Sequence, residues 1–311
     1  MEVLIQLGLL AVGFVMLIKG ADWFVDGVSG IAEKFGIPQL VIGLTIVAMG
    51  TSAPEAAVSI TAALKGSAGI TVGNVVGSNI MNVLVILGIT SVITAIAVQK
   101  STVRIELPFM IGVSVVFLVC GWTGNQITRI EGVLLWGFFL VYLFYLFQAA
   151  KNGMEQQQEE EKQESVVKLI LTGIIGMVLI IVGSDVTVDA ATVLATIFGM
   201  SERFIGLTIV AFGTSLPELV TSVIAARKGK ADIAVGNIVG SNIFNILFVV
   251  GTTALIVPVP FSPEFYIDGI VAILAGILLW LCVFQKKLLE RWGGGIMLVG
   301  YLAYFGYLLA K

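Results

Sequence analysis

No histidine occurs among the 311 residues. That absence removes Ser/His/Asp and Cys/His catalysis, the HExxH zinc site and haem ligation by imidazole. The only two cysteines, Cys120 and Cys282, stand alone in apolar runs, so they read as membrane-buried thiols rather than a disulfide or redox pair. Charge is also scarce: 12% of residues are charged, against about 25% in soluble domains. The net charge of −3 offers no basic excess for nucleic acid. What is abundant is apolar surface, 58% of the residues. The chain therefore reads as an all-α polytopic membrane protein whose main partner is the lipid bilayer; no protein partner can be inferred. Residues 1–20 lack a basic n-region and a small-residue cleavage site, which favours a first transmembrane helix over a removable signal peptide.

A span needs about 20 mostly apolar residues. Runs of that kind fall at about 3–30, 38–64, 69–97, 105–121 and 130–149, then at about 166–195, 203–227, 232–257, 266–285 and 293–310. These are ten spans in two sets of five. They predict a first repeat over residues 1–150, a solvated acidic linker over 151–165 and a second repeat over 166–311. Five is odd, so the second set enters the membrane from the opposite side and the repeats are inverted. With both termini outside, the inner segments hold 13 of the Lys and Arg residues and the outer segments 4. The positive-inside rule then puts the protein in the cell membrane with its linker in the cytoplasm.

The duplication is written in the residues. Gly43–Asn82 and Gly206–Asn245 align without a gap at an offset of 163, with 27 of 40 positions identical. Each copy carries Gly-Thr-Ser-x-Pro-Glu inside an apolar run: Gly50 to Glu55, and Gly213 to Glu218. A carboxylate at the centre of a membrane helix costs roughly 2.5–3.5 kcal/mol on insertion scales, so such a residue points to function. Paired Gly/Pro-interrupted spans at matching positions point to a transporter's midplane site. The plainer explanation is local: Ser52-x-x-Glu55 fits a capping box, with Pro54 at the helix restart. Capping explains the restart but not why a charge is used where Gln would serve, nor why it recurs.

Broken helices at the midplane free backbone carbonyls near Ala48, Thr51, Ala211 and Thr214, and the new helix N-termini favour ionised Glu55 and Glu218. On the following span Asn74, Ser78 and Asn82 share one helical face, as do Asn237, Ser241 and Asn245. For Asn74 and Asn237, polar packing between helices is an equal explanation. The assembled donors are oxygen only, which suits a hard cation. Ca²⁺ takes 6–8 oxygens, and two bidentate glutamates with two threonine carbonyls supply about six; Zn²⁺ or Cu⁺ would prefer His or Cys.

The motifs GTSAPE with GNVVGSNIMN, and GTSLPE with GNIVGSNIFN, resemble the two alpha repeats of the sodium/calcium exchanger family, within the cation/Ca²⁺ antiporter superfamily. The resemblance covers both repeats and the ten-span plan. It implies exchange of Na⁺ against Ca²⁺ by alternating access, without a cofactor, the first and sixth helices sliding across a fixed core. It also implies that Glu55 and Glu218 bind Ca²⁺ with the Thr51 and Thr214 carbonyls. Na⁺ would use the same glutamates with Ser52, Ser215, Ser78, Ser241 and the Ala48 and Ala211 carbonyls. Some relatives, potassium-dependent exchangers among them, carry Asp where this chain has Asn245. Here Asn82 and Asn245 are both neutral, which argues against K⁺ dependence and leaves two carboxylates to match one Ca²⁺.

Asp22, Asp26, Asp185 and Asp189 sit as i,i+4 pairs on the first and sixth helices. They either line an ion vestibule or mark solvated helix ends, and they stay outside the site. A Ca²⁺/H⁺ antiporter is the alternative within transport; a membrane enzyme or a structural subunit is the remote one. The orientation has a direct check: a cysteine placed in Gln156–Gln158 is expected to react with impermeant thiol reagents only after permeabilisation, and labelling from outside intact cells would reverse the topology.

Overall fold

The computed structural model describes residues 2–156, 165–199 and 211–310. In chain order the helices are α1 (Glu2–Phe35), α2 (Gln39–Thr51), α3 (Ala53–Leu64), α4 (Gly69–Ile93), α5 (Thr102–Gly124) and α6 (Arg129–Gln156). They continue with α7 (Val166–Ile197), α8 (Ala211–Thr214), α9 (Leu216–Arg227), α10 (Ala231–Ile256), α11 (Phe265–Phe284) and α12 (Arg291–Ala310). Among the described residues eight helices are long and apolar enough to cross a membrane, and the pair α2–α3, bent by 48°, makes a ninth. The start of the expected span at 203–227, and residues 157–164 of the expected linker, lie outside the described residues.

Two features add detail to the expected plan. Residues 151–156 are helical, continuing α6, because Lys151–Gln156 contains no proline and nothing in it forbids further i,i+4 bonds once the helix has left the apolar layer. The chain is also not purely helical. Four two-residue strands form two antiparallel pairs, Ile96–Ala97 with Leu288–Leu289 and Gln126–Ile127 with Val259–Pro260. Each pair joins a short connection of the first half to one of the second, satisfying backbone groups where the helices end.

α4 and α10 form the centre. α10 is almost wholly buried and α4 mostly so, whereas α1, α6, α7 and α12 turn large apolar side chains outward. That is the distribution expected when the surroundings are lipid. Each central helix contains one wide π-type stretch, Asn82–Leu87 and Asn245–Val250. Insertions of this kind loosen the i→i−4 ladder and are common at functional sites. The two helices bond reciprocally: Asn79 Nδ2 donates to the Asn242 carbonyl and Asn242 Nδ2 to the Asn79 carbonyl, both at 3.2 Å. Asn82 Nδ2 donates to Asn242 Oδ1 at 3.0 Å and Asn245 Nδ2 to Asn79 Oδ1 at 3.1 Å. The set is its own image under the 163-residue offset, so a pseudo-two-fold axis passes between α4 and α10.

α1 and α7 are long, unbroken and packed on each other along their length. Their backbones touch because glycines recur every seven residues at the contact, Gly13, Gly20 and Gly27 on α1, facing Gly173, Gly176 and Gly183 on α7. A Cβ on Gly20 would lie 2.8 Å from the Gly176 carbonyl oxygen and 2.9 Å from Ile180 N. Small residues at such contacts let membrane helices approach closely. Gly20→Leu is therefore expected to lower the midpoint of thermal unfolding in detergent, by the roughly 1–3 kcal/mol typical of overpacking. Gly8→Leu, at a position with open space around it, should leave the midpoint unchanged.

Candidate functional site: a buried oxygen cluster at two helix breaks

The breaks have a covalent cause. Pro54 has no N–H, so the Gly50 carbonyl loses its i+4 donor; Pro217 does the same to Gly213. The residue at each break, Ser52 and Ser215, has left helical geometry in the same way, with φ −84° and ψ 8° in one and φ −93° and ψ 4° in the other. α3 and α9 restart there, and Glu55 and Glu218 lie in their first turns.

The capping expectation does not hold. Ser52 makes no side-chain bond to its own helix. Its Oγ instead donates across the pseudo-two-fold axis to Glu218 Oε1 at 2.8 Å. The hydroxyl proton goes to a carboxylate, a charge-assisted acceptor, and the other half's glutamate is within reach because the two breaks meet. The expectation of a freed Ala48 carbonyl also needs correction. That oxygen accepts the Ser52 backbone N–H at 3.0 Å and Ser241 Oγ at 3.3 Å, because the chain keeps one more helical bond before the break. Thr51 and Thr214 are the last residues of α2 and α8, where helix carbonyls lack intrahelical donors. Gly213, freed by Pro217, accepts Ser184 Oγ of α7 at 2.9 Å. The offset aligns Ser184 with Ala21, which has no hydroxyl, so this bond has no counterpart in the first half.

Glu55, Glu218, Ser52, Ser215, Thr51, Ser78, Ser241, Asn82, Asn245 and Ala48 are all buried and Thr214 is half-buried; the side chain of Ala211 lies outside the description. Among these residues Glu55 Oε2, Glu218 Oε2, Ser215 Oγ, Asn82 Oδ1 and Asn245 Oδ1 are buried without a hydrogen-bond partner. An orphaned buried oxygen ordinarily costs about 1–3 kcal/mol, more when charged. Several of them fall on one set of residues, where they stand as unused acceptors. The donor set is oxygen throughout. That fits a hard ion and not a thiophilic one.

Asn74 and Asn237 do different work. Asn237 Nδ2 donates to Ser222 Oγ at 3.0 Å and to the Glu218 carbonyl at 3.4 Å. Asn74 Nδ2 does the same to Ser59 Oγ at 2.9 Å and the Glu55 carbonyl at 3.1 Å. Asn237 Oδ1 also accepts Thr51 Oγ1 at 3.0 Å. These amides hold the glutamate-bearing turns from behind. α2 and α10 lie close enough for this because of Gly43, Gly236 and Gly240; a Cβ on Gly240 would sit 2.7 Å from the Leu44 carbonyl. Sequence reasoning missed Asn79 and Asn242. They stand in both GSN motifs, and looking only for the i,i+4 face passed over them.

A family model described as sodium/calcium exchanger protein matches residues 5–148 and 168–310. The putative antiporter CaxA of Alkalimonas amylolytica is 39% identical over 94% of this chain and 95% of its own length. The sodium/calcium exchanger MaX1 of Methanosarcina acetivorans is 31% identical over 95% and 96%. A solved structure of the sodium-calcium exchanger NCX_Mj, soaked without Na⁺ and Ca²⁺, superposes with a TM-score of 0.86 at 32% identity, covering 98% of this chain and 99% of that one.

The asparagine bracket can be weighed. Asn237→Ala is expected to lower stability by about 1–2 kcal/mol, at the upper end for a polar contact between membrane helices, and Asn74→Ala by less because Asn74 is only half-buried. Unfolding of the purified protein by denaturant or heat decides it; equal effects would mean that the Thr51 contact adds nothing.

Proposed function

This chain belongs to the sodium/calcium exchanger protein family, and on that premise we propose that it exchanges Na⁺ for Ca²⁺ across the cell membrane by alternating access. Within its family it is a secondary transporter of the cation/Ca²⁺ antiporter kind and not an enzyme. The spans are read as ten, in two inverted sets of five, with 151–165 joining them on the cytoplasmic side and both termini outside. The sliding unit is α1 with α7, and the core that holds the ions is built on α2–α4 and α8–α10.

One observation carries this reading: buried, unpartnered oxygens of both glutamates, Ser215, Asn82 and Asn245 on helices that meet at two breaks. Ca²⁺ is read as bound by Glu55, Glu218 and the Thr51 and Thr214 carbonyls. Na⁺ is read as using the glutamates with Ser52, Ser215, Ser78, Ser241 and the Ala211 carbonyl. Competition follows from charge. Two carboxylates in a low-dielectric site are neutralised by one Ca²⁺ or by monovalent ions, and both cargoes need the same oxygens. Exchange of three Na⁺ for one Ca²⁺ would move one net charge per cycle, coupling transport to voltage by roughly 2.3 kcal/mol per 100 mV.

In liposomes with controlled gradients, an outward Na⁺ gradient is expected to drive Ca²⁺ uptake, and an imposed potential to bias it with no pH gradient present. Glu55→Gln and Glu218→Gln should each abolish exchange while the protein still folds, because Gln keeps the shape. Full transport by either variant would remove the glutamates from the site. Uptake that follows ΔpH and ignores Na⁺ would make the protein a Ca²⁺/H⁺ antiporter.

A further inference from the structure

The aspartates left outside the ion site have partners. Lys228, in the turn between α9 and α10, reaches Asp22 Oδ1 at 2.7 Å and Asp26 Oδ1 at 2.6 Å, both on α1, and also donates to the Asp22 carbonyl at 2.9 Å. Lys230 pairs with Glu33 at 2.5 Å. These bonds tie the inner end of α1, part of the sliding pair, to the core.

The 163-residue offset carries Lys228 onto Lys65, Asp22 onto Asp185 and Asp26 onto Asp189. The sequence therefore writes the same lysine and aspartate pair twice, once toward each side of the membrane. Only one trio is closed. Lys65, Asp185 and Asp189 are exposed, and Lys65 has no ion-pair partner among the described residues. The helices show the same inequality. α1 packs closely against α9, while the matching contact of α7 with α3 is all but absent. Ala225 on α9 is fully buried in the cluster that contains Val25 and Val28 of α1, whereas its counterpart Ala62 on α3 is half-buried. Two halves that share a sequence but differ in packing are what one end of a two-position slide looks like.

We propose that Lys228 and Lys65 are positioning residues of the transport cycle, alternating ion-pair latches of which one closes as the other opens. In this conformation Lys228 holds α1 and closes the inner side. When α1 and α7 slide, Lys228 releases Asp22 and Asp26, and Lys65 engages Asp185 and Asp189 at the outer side. The strength suits a reversible device. The lysine is a quarter exposed and Asp26 more than half, and a polar cavity of about 540 Å³ lined by Asp26, Ser29, Glu33, Thr172 and Lys230 adjoins the inner pairs. Partly solvated pairs are worth up to about 1 kcal/mol, which biases a conformational equilibrium without locking it. Lys230 with Glu33 has no repeat, since the offset aligns them with Ser67 and Thr196, so the inner latch is the stronger of the two. The inference rests on the alternating-access reading above.

The test uses the full chain in nanodiscs with Cys120→Ser and Cys282→Ser. Ala225→Cys serves as the inner reporter and Ala62→Cys as the outer one, both read by the rate of methanethiosulfonate labelling. In the parent, Ca²⁺ and Na⁺ should shift the two reporters in opposite directions; reporters that ignore both ions would overturn alternating access and this proposal with it. Given that response, Lys228→Gln is expected to raise the inner-to-outer labelling ratio about two- to fivefold, the factor a partly exposed pair provides. Asp22→Asn with Asp26→Asn should reproduce it, Lys228→Arg should restore the parent ratio, and Lys65→Gln should shift the ratio the opposite way. Shifts of the same sign from Lys228→Gln and Lys65→Gln, or no shift from either, would overturn the latches and leave the exchange reading standing.

Discussion

Two carboxylates held out of water beside each other constrain the rest of this molecule. Glu55 and Glu218 are both buried, each leaves one oxygen without a hydrogen-bond donor, and Glu218 takes a cross-half bond from Ser52. In a low-dielectric interior such a pair repels strongly and is poorly solvated, and a single removed partner leaves an uncompensated charge. The fold answers with preorganisation. Prolines start a new helix at each glutamate, so the positive end of a helix faces each charge. Asparagines on α4 and α10 fix the turns through their backbone carbonyls. What these arrangements do not supply is positive charge, and no lysine or arginine stands among the site residues. Compensation has to come from outside these side chains, by protonation or by a bound cation, and the exchange proposed above assigns it to the cargo.

The same constraint explains why core and sliding pair are built differently. The core is tied by directional bonds: four amide contacts between α4 and α10, and the Ser222, Ser59 and Thr51 links around Asn237 and Asn74. Those fix atoms to a few tenths of an ångström, as an ion site requires. The pair α1–α7 is instead built on glycine contact and smooth apolar faces. Among the described residues its directional ties to the core include the bond from Ser184 to the Gly213 carbonyl and the ion pairs of Lys228 and Lys230 with α1. Contacts without direction resist sliding less than contacts with direction, which is the division the proposed alternating access needs.

Much of this was legible in the residues. A duplication at constant offset, a proline and glutamate recurring in two apolar runs, and two Asn/Ser faces at i,i+4 spacing located the breaks and picked out residues that the fold buries together, with the family likeness implying their roles. What was not legible depends on which groups meet across the axis. Ser52 looked like a cap because helix N-terminus rules are local, and the glutamate it bonds instead lies 166 residues away. Asn79 and Asn242 were passed over because their partners sit on the opposite half. The two-residue strands carry no periodicity to read, since nothing shorter than about four residues shows a strand pattern.

The departures from symmetry carry the remaining information. A perfectly two-fold molecule would have identical access from both faces and no preferred position of its sliding helices. Here Ser184 answers Ala21, Lys230 answers Ser67, Glu33 answers Thr196, and Ser52 is bonded to Glu218 while Ser215 is left unpartnered. The first three differences are fixed in sequence and persist in every conformation, so they weight one end of the cycle over the other. The last is not fixed, since both serines and both glutamates are present in duplicate. The duplicated residues leave either pairing open, Ser52 with Glu218 or Ser215 with Glu55, and the alternating access proposed above gives that freedom a use.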